Sequence, residues 1–330
     1  MSRPRFLHQQ RTVLRAFTLI ELTVIVSIIA LLMALLIPAV QSVREAGSRA
    51  QCVNNLRQIG LALQSYESLQ QMFPPGELTD RHGLISNDYS ELAFLLPHLE
   101  QTALFSSVNM EFHAFETAAI PLVVNQTARN TRVAAYLCPS DGEPHHLNSY
   151  RLNRGRYGRI GFSGHLFDGP FGMGVLPRAS AITDGLSKTA FVSERLSGDF
   201  IAGSDDTRRG IKIADYQGAS ASSDAEIIPL CLEAPALGWN CTAGRYWLFG
   251  DFVNTGYNHN GTPNDRRPTC GPVIGTAAKG GAGGLDPPRS FHPGVVNLLF
   301  GDGHVEPVHD SISQAVWSAL GTYNFGDSPQ

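Results

Sequence analysis

The sequence predicts an α+β protein in which a long N-terminal helix, its first half crossing a membrane, packs on a predominantly antiparallel sheet with long loops. Three observations predict this architecture. An uncharged apolar run follows an Arg-rich start, apolar residues then recur every three or four positions, and short apolar runs alternate with turn signals. Of 330 residues, 43 % are hydrophobic and 16 % charged, which argues against disorder. The net charge of −4 gives no support for nucleic-acid binding.

The N-terminal segment has the pattern of a membrane anchor. Residues 1–16 carry four arginines and no acidic side chain, and residues 22–43 are uncharged. As a helix, this uncharged run would span about 33 Å at about 1.5 Å per residue, which matches a bilayer core. The position of the arginines predicts that residues 1–16 stay in the cytoplasm and that the remainder is exported. The run is too long for an ordinary cleaved secretory signal.

Glu21 is an unusual residue for a plain anchor. An ionised carboxylate at the edge of hydrocarbon is costly unless a partner compensates its charge. Cleavage between Ala16 and Phe17 would create an α-amine four residues before Glu21, and the amine of a neighbouring copy could be that partner. We therefore expect Glu21 to set the register between copies. The competing interpretation is an uncleaved anchor.

The string AFTLIE at residues 16–21 resembles the type IV prepilin cleavage and methylation motif. The resemblance implies that a prepilin peptidase cuts before Phe17, that the new N-terminus is methylated, and that the apolar helix is kept as a filament core. Pro38 lies where pilins commonly kink this helix. Ala16 departs from the usual glycine before the cut, but it is also small, so we expect cleavage.

The helical pattern continues beyond the apolar run until the sequence FPPG at residues 73–76 ends it. We expect one helix over about residues 17–71, whose second half packs an apolar stripe on a globular head. The predicted organisation is a cleaved leader at 1–16, a membrane or filament-core helix at 17–43, its continuation at 44–72, and an α+β head at 73–330.

Within the head, residues 88–108 predict one or two short helices interrupted at Pro97. Strands are predicted by apolar runs at 133–137, 189–192, 246–249 and 295–300. Residues 252–290 are dominated by Gly, Pro, Asn and Thr, and they predict a long surface loop.

Six segments spread along the chain carry a second resemblance. They are QCVNNLRQIGLAL at 51–63, FPPG at 73–76, LPHLEQ at 96–101, CPSD at 138–141, ITDG at 182–185, and His292 followed by Asp302 and Gly303. Their order and spacing resemble those of a large bacterial family of pilin-like proteins (pseudopilins) known by a C-terminal H-x(9)-D-G signature. The resemblance implies a type IV pilin-like fold and an exported subunit of unknown biochemical role. Phe291, Val295 and His304 depart from the family pattern.

Five cysteines would lie in an oxidising compartment after export, where disulfides persist. Cys52 and Cys138 both fall in segments of the family resemblance, which favours a bond between them that ties the helix to the head. Cys231 and Cys241 bracket a loop and are the second candidate pair, although Cys270 could replace either partner. No pair has the C-x-x-C spacing of a zinc or redox site.

A metal site is the alternative interpretation of the C-terminal histidines. His292, Asp302 and His304 are the weak candidate ligands, with His309 nearby, because an extended segment would place Asp302 and His304 on one side. Zinc or calcium would be the ion, although calcium needs more oxygen ligands than this segment offers. The favoured interpretation is a turn at Asp302-Gly303 between two strands, with no cofactor.

Enzymatic activity is not expected, because the sequence lacks a G-x-S-x-G elbow, a P-loop and an H-E-x-x-H motif. A basic stretch comprises His145, His146, Arg151, Arg154, Arg156 and Arg159. It predicts a solvated loop, the alternative being a site for an acidic glycan or a partner carboxylate.

Together these observations predict a pilin-like structural subunit in a type II secretion or pilus-like system. Its expected partners are the prepilin peptidase, the inner membrane, and other pilin-like subunits or further copies, with no nucleic acid. The expected location is the inner membrane, crossed once, with the head in the periplasm or, after assembly, at the cell surface. The alternative is a membrane-anchored periplasmic or cell-surface module that binds a glycan or a metal and does not polymerise.

Overall fold

The computed structural model describes most of the chain after the first 17 residues. The described residues are 18–76, 78–79, 85–87, 89–112, 114, 124–142, 145–156, 168–172, 176–201, 203–214, 224–272, 284–324 and 326. Residue contacts divide the chain into two compact units, Met1–Gly47 and Ser48–Gln330. Because residues 1–17 are not described, the expected leader and the bond between Ala16 and Phe17 lie outside the described residues.

Helix α1, Leu19–Gln70, confirms the prediction of one long N-terminal helix. It contains Pro38 and ends where Gln71 takes a left-handed backbone conformation with φ of 58°. The Gln71 amide donates to the carbonyl of Glu67 at 2.7 Å, which closes the last turn before the sequence FPPG.

The remaining helices and strands are short and are interspersed along the chain. The helices are α2 Glu91–Leu95, α3 Thr102–Ser106, α4 Gln126–Asn130, α5 Asp224–Glu233, α6 Phe252–Thr255 and α7 Gln314–Gly321, with 3₁₀ turns at Leu96–Leu99, Ala134–Tyr136 and Ala179–Ala181. The strands are β1 Leu78–Thr79, β2 Ile85–Asn87, β3 Tyr150–Asn153, β4 Ala190–Glu194, β5 Ile211–Ala214, β6 Ala236–Asn240, β7 Gly256–Tyr257, β8 Thr269–Pro272, β9 Val295–Phe300 and β10 Val305–His309.

The described strands form mixed sheets in an α+β fold. The main sheet has the order β10-β9-β4-β3-β7 and is antiparallel except for the β3–β7 pair. A smaller sheet, β6-β5-β8, joins one antiparallel and one parallel pair, and β1 and β2 form a separate antiparallel pair. Among these pairs the antiparallel ones predominate, as the sequence predicts.

Both faces of β9 are covered, so all six of its residues are buried. Leu299 belongs to the core that includes Leu56 and Ile59 of α1, whereas Val296 and Leu298 belong to a second core around Trp317 of α7. A strand buried on both faces has a continuous apolar sequence, which explains why residues 295–300 are easily predicted as a strand.

Some of the other sequence predictions for the head are confirmed, and others are wrong. Residues 88–108 contain α2 and α3, and residues 189–192 lie largely in β4, as predicted. Residues 133–137 form a 3₁₀ turn instead of a strand, and residues 246–249 contribute only a bridge from Phe249 to Tyr89.

The prediction of a long surface loop at 252–290 is wrong for the described part of that range. It contains α6, β7 and β8, and residues 284–290 are buried. Buried polar side chains hold it in place: Asn258 donates to the Gly284 carbonyl at 2.8 Å and accepts from the Asp286 amide at 3.1 Å. The polar composition of this range suggested solvent exposure. The prediction failed because the long-range hydrogen bonds that bury these polar side chains leave no local sequence pattern.

Candidate functional site

The first half of α1 presents apolar side chains to solvent. Leu19 is 79 % exposed and Val43 72 % exposed, and large apolar residues between them are also exposed. The hydroxyls of Thr23, Ser27 and Ser42 donate to backbone carbonyls three residues earlier at 2.8–2.9 Å, so they are satisfied within the helix. The helix is long and apolar enough to cross a membrane, which is compatible with a single-pass anchor or a signal sequence.

Glu21 makes reciprocal hydrogen bonds with Thr18 at the start of α1. Its Oε2 accepts from the Thr18 amide and from the Thr18 hydroxyl, both at 2.9 Å, and the Glu21 amide donates to the same hydroxyl oxygen at 3.2 Å. This arrangement is a capping box. Glu21 therefore has a role within its own helix, which the sequence argument did not consider.

The disulfide from Cys52 on α1 to Cys138 confirms the first predicted pair, with Cα atoms 4.9 Å apart. The second disulfide joins Cys231 to Cys270 with Cα atoms 5.8 Å apart, so the favoured Cys231–Cys241 pair is wrong and the alternative, in which Cys270 replaces Cys241, is confirmed. Cys241 carries a free, half-buried thiol.

The sheet order explains the correction. Cys231 lies on α5, which packs against β8, the strand that carries Cys270. Cys241 follows β6, which lies on the other side of β5. The parallel β5–β8 pairing brings Cys270 to Cys231 on α5, although the two cysteines are 39 positions apart. Proximity in sequence therefore favoured the wrong partner.

The Asp302-Gly303 turn confirms the structural interpretation of the signature. It connects β9 and β10, and Gly303 has φ of +92°, which favours glycine. The Asp302 carboxylate accepts from the His304 amide at 3.1 Å, as the side chains of turn aspartates commonly do. On α1, the Gln64 side chain donates to the Gly301 carbonyl, so the turn is held against the helix.

The structure brings together two of the three weak candidate metal ligands and separates the third. His304 lies 2.5 Å from Asp302, and both are partly exposed at the hairpin. His292 is buried instead, with its Nε2 3.2 Å from Glu194 Oε1 and 3.8 Å from Cys138 Sγ. The alternative grouping of His292 with Asp302 and His304 is thus wrong for the described residues, because β9 carries the hairpin turn away from His292.

Glu194 is the residue that sequence reasoning missed at this place. It ends the buried strand β4, and it is itself only 2 % exposed. The Asn297 amide donates to its Oε2 at 2.9 Å, and the Asn297 side chain donates to its Oε1 at 2.8 Å. A carboxylate at the end of an apolar run was the available signal, since buried acids occur mainly where they are paired.

The basic stretch is also not a solvated loop in its described part. Arg151 lies on β3 and is fully buried, donating to the Val253 carbonyl at 2.6 Å. Burial, with the like charge of Arg195, lowers the Arg151 pKa to about 10. Arg154 forms a buried ion pair with Glu91, and burial raises the Glu91 pKa from its usual value.

Of the remaining described members, His145 is exposed, whereas Arg156 and His146 lie beside acidic side chains. Arg156 pairs with Asp168 at 2.9 Å, and the buried His146 lies 3.8 Å from Asp141, while Arg159 lies outside the described residues. The stretch was misread because it includes β3, which lies inside the main sheet. Arg151 on this strand and Arg154 and Arg156 after it meet carbonyls and carboxylates from other segments.

A cleft of about 530 Å³ opens on another part of the Ser48–Gln330 unit. Its lining residues are Asn130, Arg132, His145, Leu147, Phe200, Thr242, Arg245 and Tyr246. The guanidinium carbon of Arg245 lies 5.1 Å from the Tyr246 ring centroid, a cation–π contact. Phe200 has φ of 58°, a strained conformation for an aromatic residue. The cleft combines cationic and aromatic groups, and its size is typical of small-molecule sites.

These features define an α+β protein with one candidate membrane-spanning helix among its described residues and a buried disulfide between that helix and the sheet region. A sequence model of the family described as "Protein of unknown function (DUF1559)" matches residues 41–315, and the chain belongs to this family. The matched range includes both disulfides and the signature hairpin, whereas residues 1–40 precede it. Neither the search of curated proteins nor that of solved structures finds a significant match.

Proposed function

We propose that this protein is an exported pilin-like structural subunit, cut before Phe17 and assembled through its apolar N-terminal helix in a type II secretion or pilus-like system. The observation that carries the proposal is the apolar, exposed surface along residues 19–43 of α1. A surface of this length needs a covering. Lipid covers it before assembly, and the same segment of neighbouring copies covers it afterwards.

Glu21 distinguishes assembly from simple anchoring. The capping box gives this carboxylate two hydrogen bonds, both at Oε2, but does not neutralise its charge. Among closely packed apolar helices an uncompensated charge is costly, and the α-amine of a neighbouring Phe17 would compensate it. The similarity of residues 16–21 to the prepilin motif supports the same proposal.

The test separates the two roles of Glu21. Glu21→Gln keeps the capping box, since glutamine also serves at this position, but removes the charge. Thr18→Ala removes the capping hydroxyl and keeps the charge. Breaking a buried ion pair costs about 3–5 kcal/mol, so Glu21→Gln should lower incorporation into assemblies by about 100-fold or more. Thr18→Ala should assemble nearly normally.

Co-isolation with tagged wild-type copies measures incorporation, and membrane fractionation checks export. Mass spectrometry of the mature protein should find methylated Phe17 at its N-terminus. The proposal fails if Glu21→Gln assembles like the wild type, or if the isolated protein retains residues 1–16. Loss of assembly in Thr18→Ala alone would assign Glu21 to helix capping.

The cleft beside Arg245 and Tyr246 supports a second candidate, an anchored module that binds an acidic glycan and does not polymerise. Guanidinium groups pair with carboxylates in a planar geometry, and an aromatic wall suits the apolar face of a sugar ring. The full-length protein in detergent would be tested against oligomers of galacturonate and against their methyl esters. Specific binding of the acid form, lost in Arg245→Gln, would favour this candidate.

A further inference from the structure

The cluster around the first disulfide joins four potential metal ligands from separate parts of the chain. Cys52 lies on α1, Cys138 precedes β3, Glu194 ends β4, and His292 precedes β9. One ligand atom from each lies within 4.8 Å of the other three, and all four residues are buried. Among the residues that the structure describes, this is the group with metal-ligand proximity.

The spacing of the nitrogen, oxygen and sulfur atoms fits a tetrahedral zinc site. Zinc bonds of about 2.0–2.2 Å to nitrogen and oxygen and about 2.3 Å to sulfur imply N–O and N–S separations of about 3.3 and 3.6 Å. The structure has 3.2 Å between His292 Nε2 and Glu194 Oε1, and 3.8 Å between His292 Nε2 and Cys138 Sγ. The other separations between ligand atoms lie within 4.8 Å, and the two sulfurs are covalently bonded, so zinc would require the sulfurs to move apart.

The surroundings also suit a metal. Asn297 holds both carboxylate oxygens of Glu194 through its amide and its side chain, as the outer partners of metal ligands commonly do. A small cavity of about 10 Å³ touches Cys138 and Glu194. Arg195 and Arg289 also line this cavity, together with the carboxylate of Asp141, so charges of both signs lie beside the site.

We propose that reduction of the Cys52–Cys138 disulfide creates a Zn²⁺ site formed by both thiolates, His292 Nε2 and a Glu194 oxygen. An external dithiol supplies two electrons and two protons, becoming a disulfide itself, as the S–S bond breaks and two thiols form. Zn²⁺ then displaces the two thiol protons to solvent. The same residues thus connect α1 to the sheet covalently when oxidised and through a metal when reduced.

The experiment uses full-length protein in detergent that carries Cys231→Ser, Cys241→Ser and Cys270→Ser, so that Cys52 and Cys138 are the cysteines that remain. It is reduced with a dithiol, desalted without oxygen and titrated with Co²⁺ and then Zn²⁺. We expect one Co²⁺ per chain, with thiolate-to-cobalt charge transfer and the visible bands of tetrahedral cobalt, and displacement by Zn²⁺. The oxidised sample of the same variant should bind none. This comparison requires no change to a ligand.

Two controls test the ligand set. A variant with Cys52→Ser, Cys138→Ser and Cys241→Ser keeps the other disulfide pair and should bind no metal after reduction. His292→Ala should lower affinity by about 100-fold or more, since loss of even outer partners typically costs 10–100-fold. Circular dichroism establishes that each sample is folded. Absence of binding in the folded, reduced protein overturns the proposal, as does cobalt absorption that is unchanged by His292→Ala.

Discussion

Gly60 of α1 lies directly against Gly303 in the turn of the signature hairpin. A Cβ atom on Gly60 would stand 3.4 Å from the Gly303 Cα and 2.8 Å from a methyl group of Leu299. The helix approaches the turn this closely because Gly60 has no side chain, whereas a Cβ on Gly303 would meet only Gln64 Cγ at 3.9 Å and that glycine is favoured by its φ. The motif at residues 51–63 and the signature are thus two halves of one contact, although they are far apart in sequence.

We expect Gly60→Val to destabilise the protein by about 1–3 kcal/mol, because overpacking a filled core shifts its neighbours. Gly47 lies on the same helix, and a Cβ there would meet nothing within 4 Å, so Gly47→Val is the matched control. Urea unfolding monitored by tryptophan fluorescence would compare the two. Equal stabilities would contradict the close contact.

The cysteine pairing makes a separate prediction. Cys241→Ser should change the free energy of unfolding by less than about 0.5 kcal/mol, because it breaks no disulfide. Cys270→Ser removes the bond to Cys231 and should cost roughly 2–4 kcal/mol. Peptide mapping under non-reducing conditions should recover Cys231 linked to Cys270. A Cys231–Cys241 peptide would show that the sequence-based pairing was right after all.

The buried ion pair of Arg154 and Glu91 should be sensitive to the loss of one partner. Glu91→Gln leaves a buried guanidinium without its counter-charge, which typically costs about 3–5 kcal/mol. The pair of Arg267 and Asp265 offers a control, because the arginine side chain is 43 % exposed and Arg267→Gln should cost only about 1 kcal/mol. Chemical denaturation of both variants would measure the difference. A loss below 1 kcal/mol in Glu91→Gln would rule out a paired, buried Glu91.

His259 predicts a pH dependence of stability. It is fully buried, stacks on Trp317 at 3.9 Å, and burial lowers its pKa from 6.5 to about 3. Between these two pKa values the unfolded chain binds a proton that the folded protein excludes, so stability falls as pH falls below 6.5. In this range His259 contributes a slope of up to about 1.4 kcal/mol per pH unit to the free energy of unfolding.

Stability measured between pH 7 and pH 4 would test this dependence, with His259→Gln as the comparison. The variant should be less stable at pH 7, because it loses the stacking on Trp317. Its stability should nevertheless decline less steeply toward low pH. Parallel pH profiles for the two proteins would mean that His259 does not titrate as its burial implies.

Much of the architecture could be predicted because its causes are local. The apolar run and the FPPG stop act over a few neighbouring positions, which is why α1 was predicted within two residues at either end. The β9–β10 hairpin was equally accessible, since a buried strand and an Asp-Gly turn both have recognisable sequences. The prediction of a long loop at 252–290 failed because buried polar residues that form hydrogen bonds with distant backbone groups have the same sequence pattern as solvent-exposed residues.

The sequence by itself determined the long apolar helix, the Asp302-Gly303 turn and the α+β class, because each depends on contacts between near neighbours. The tertiary structure decided the partner of Cys231, the burial of Arg151 and the meeting of Glu194 with His292. Those outcomes depend on which strands become neighbours, and strand order arises from the packing of the whole chain.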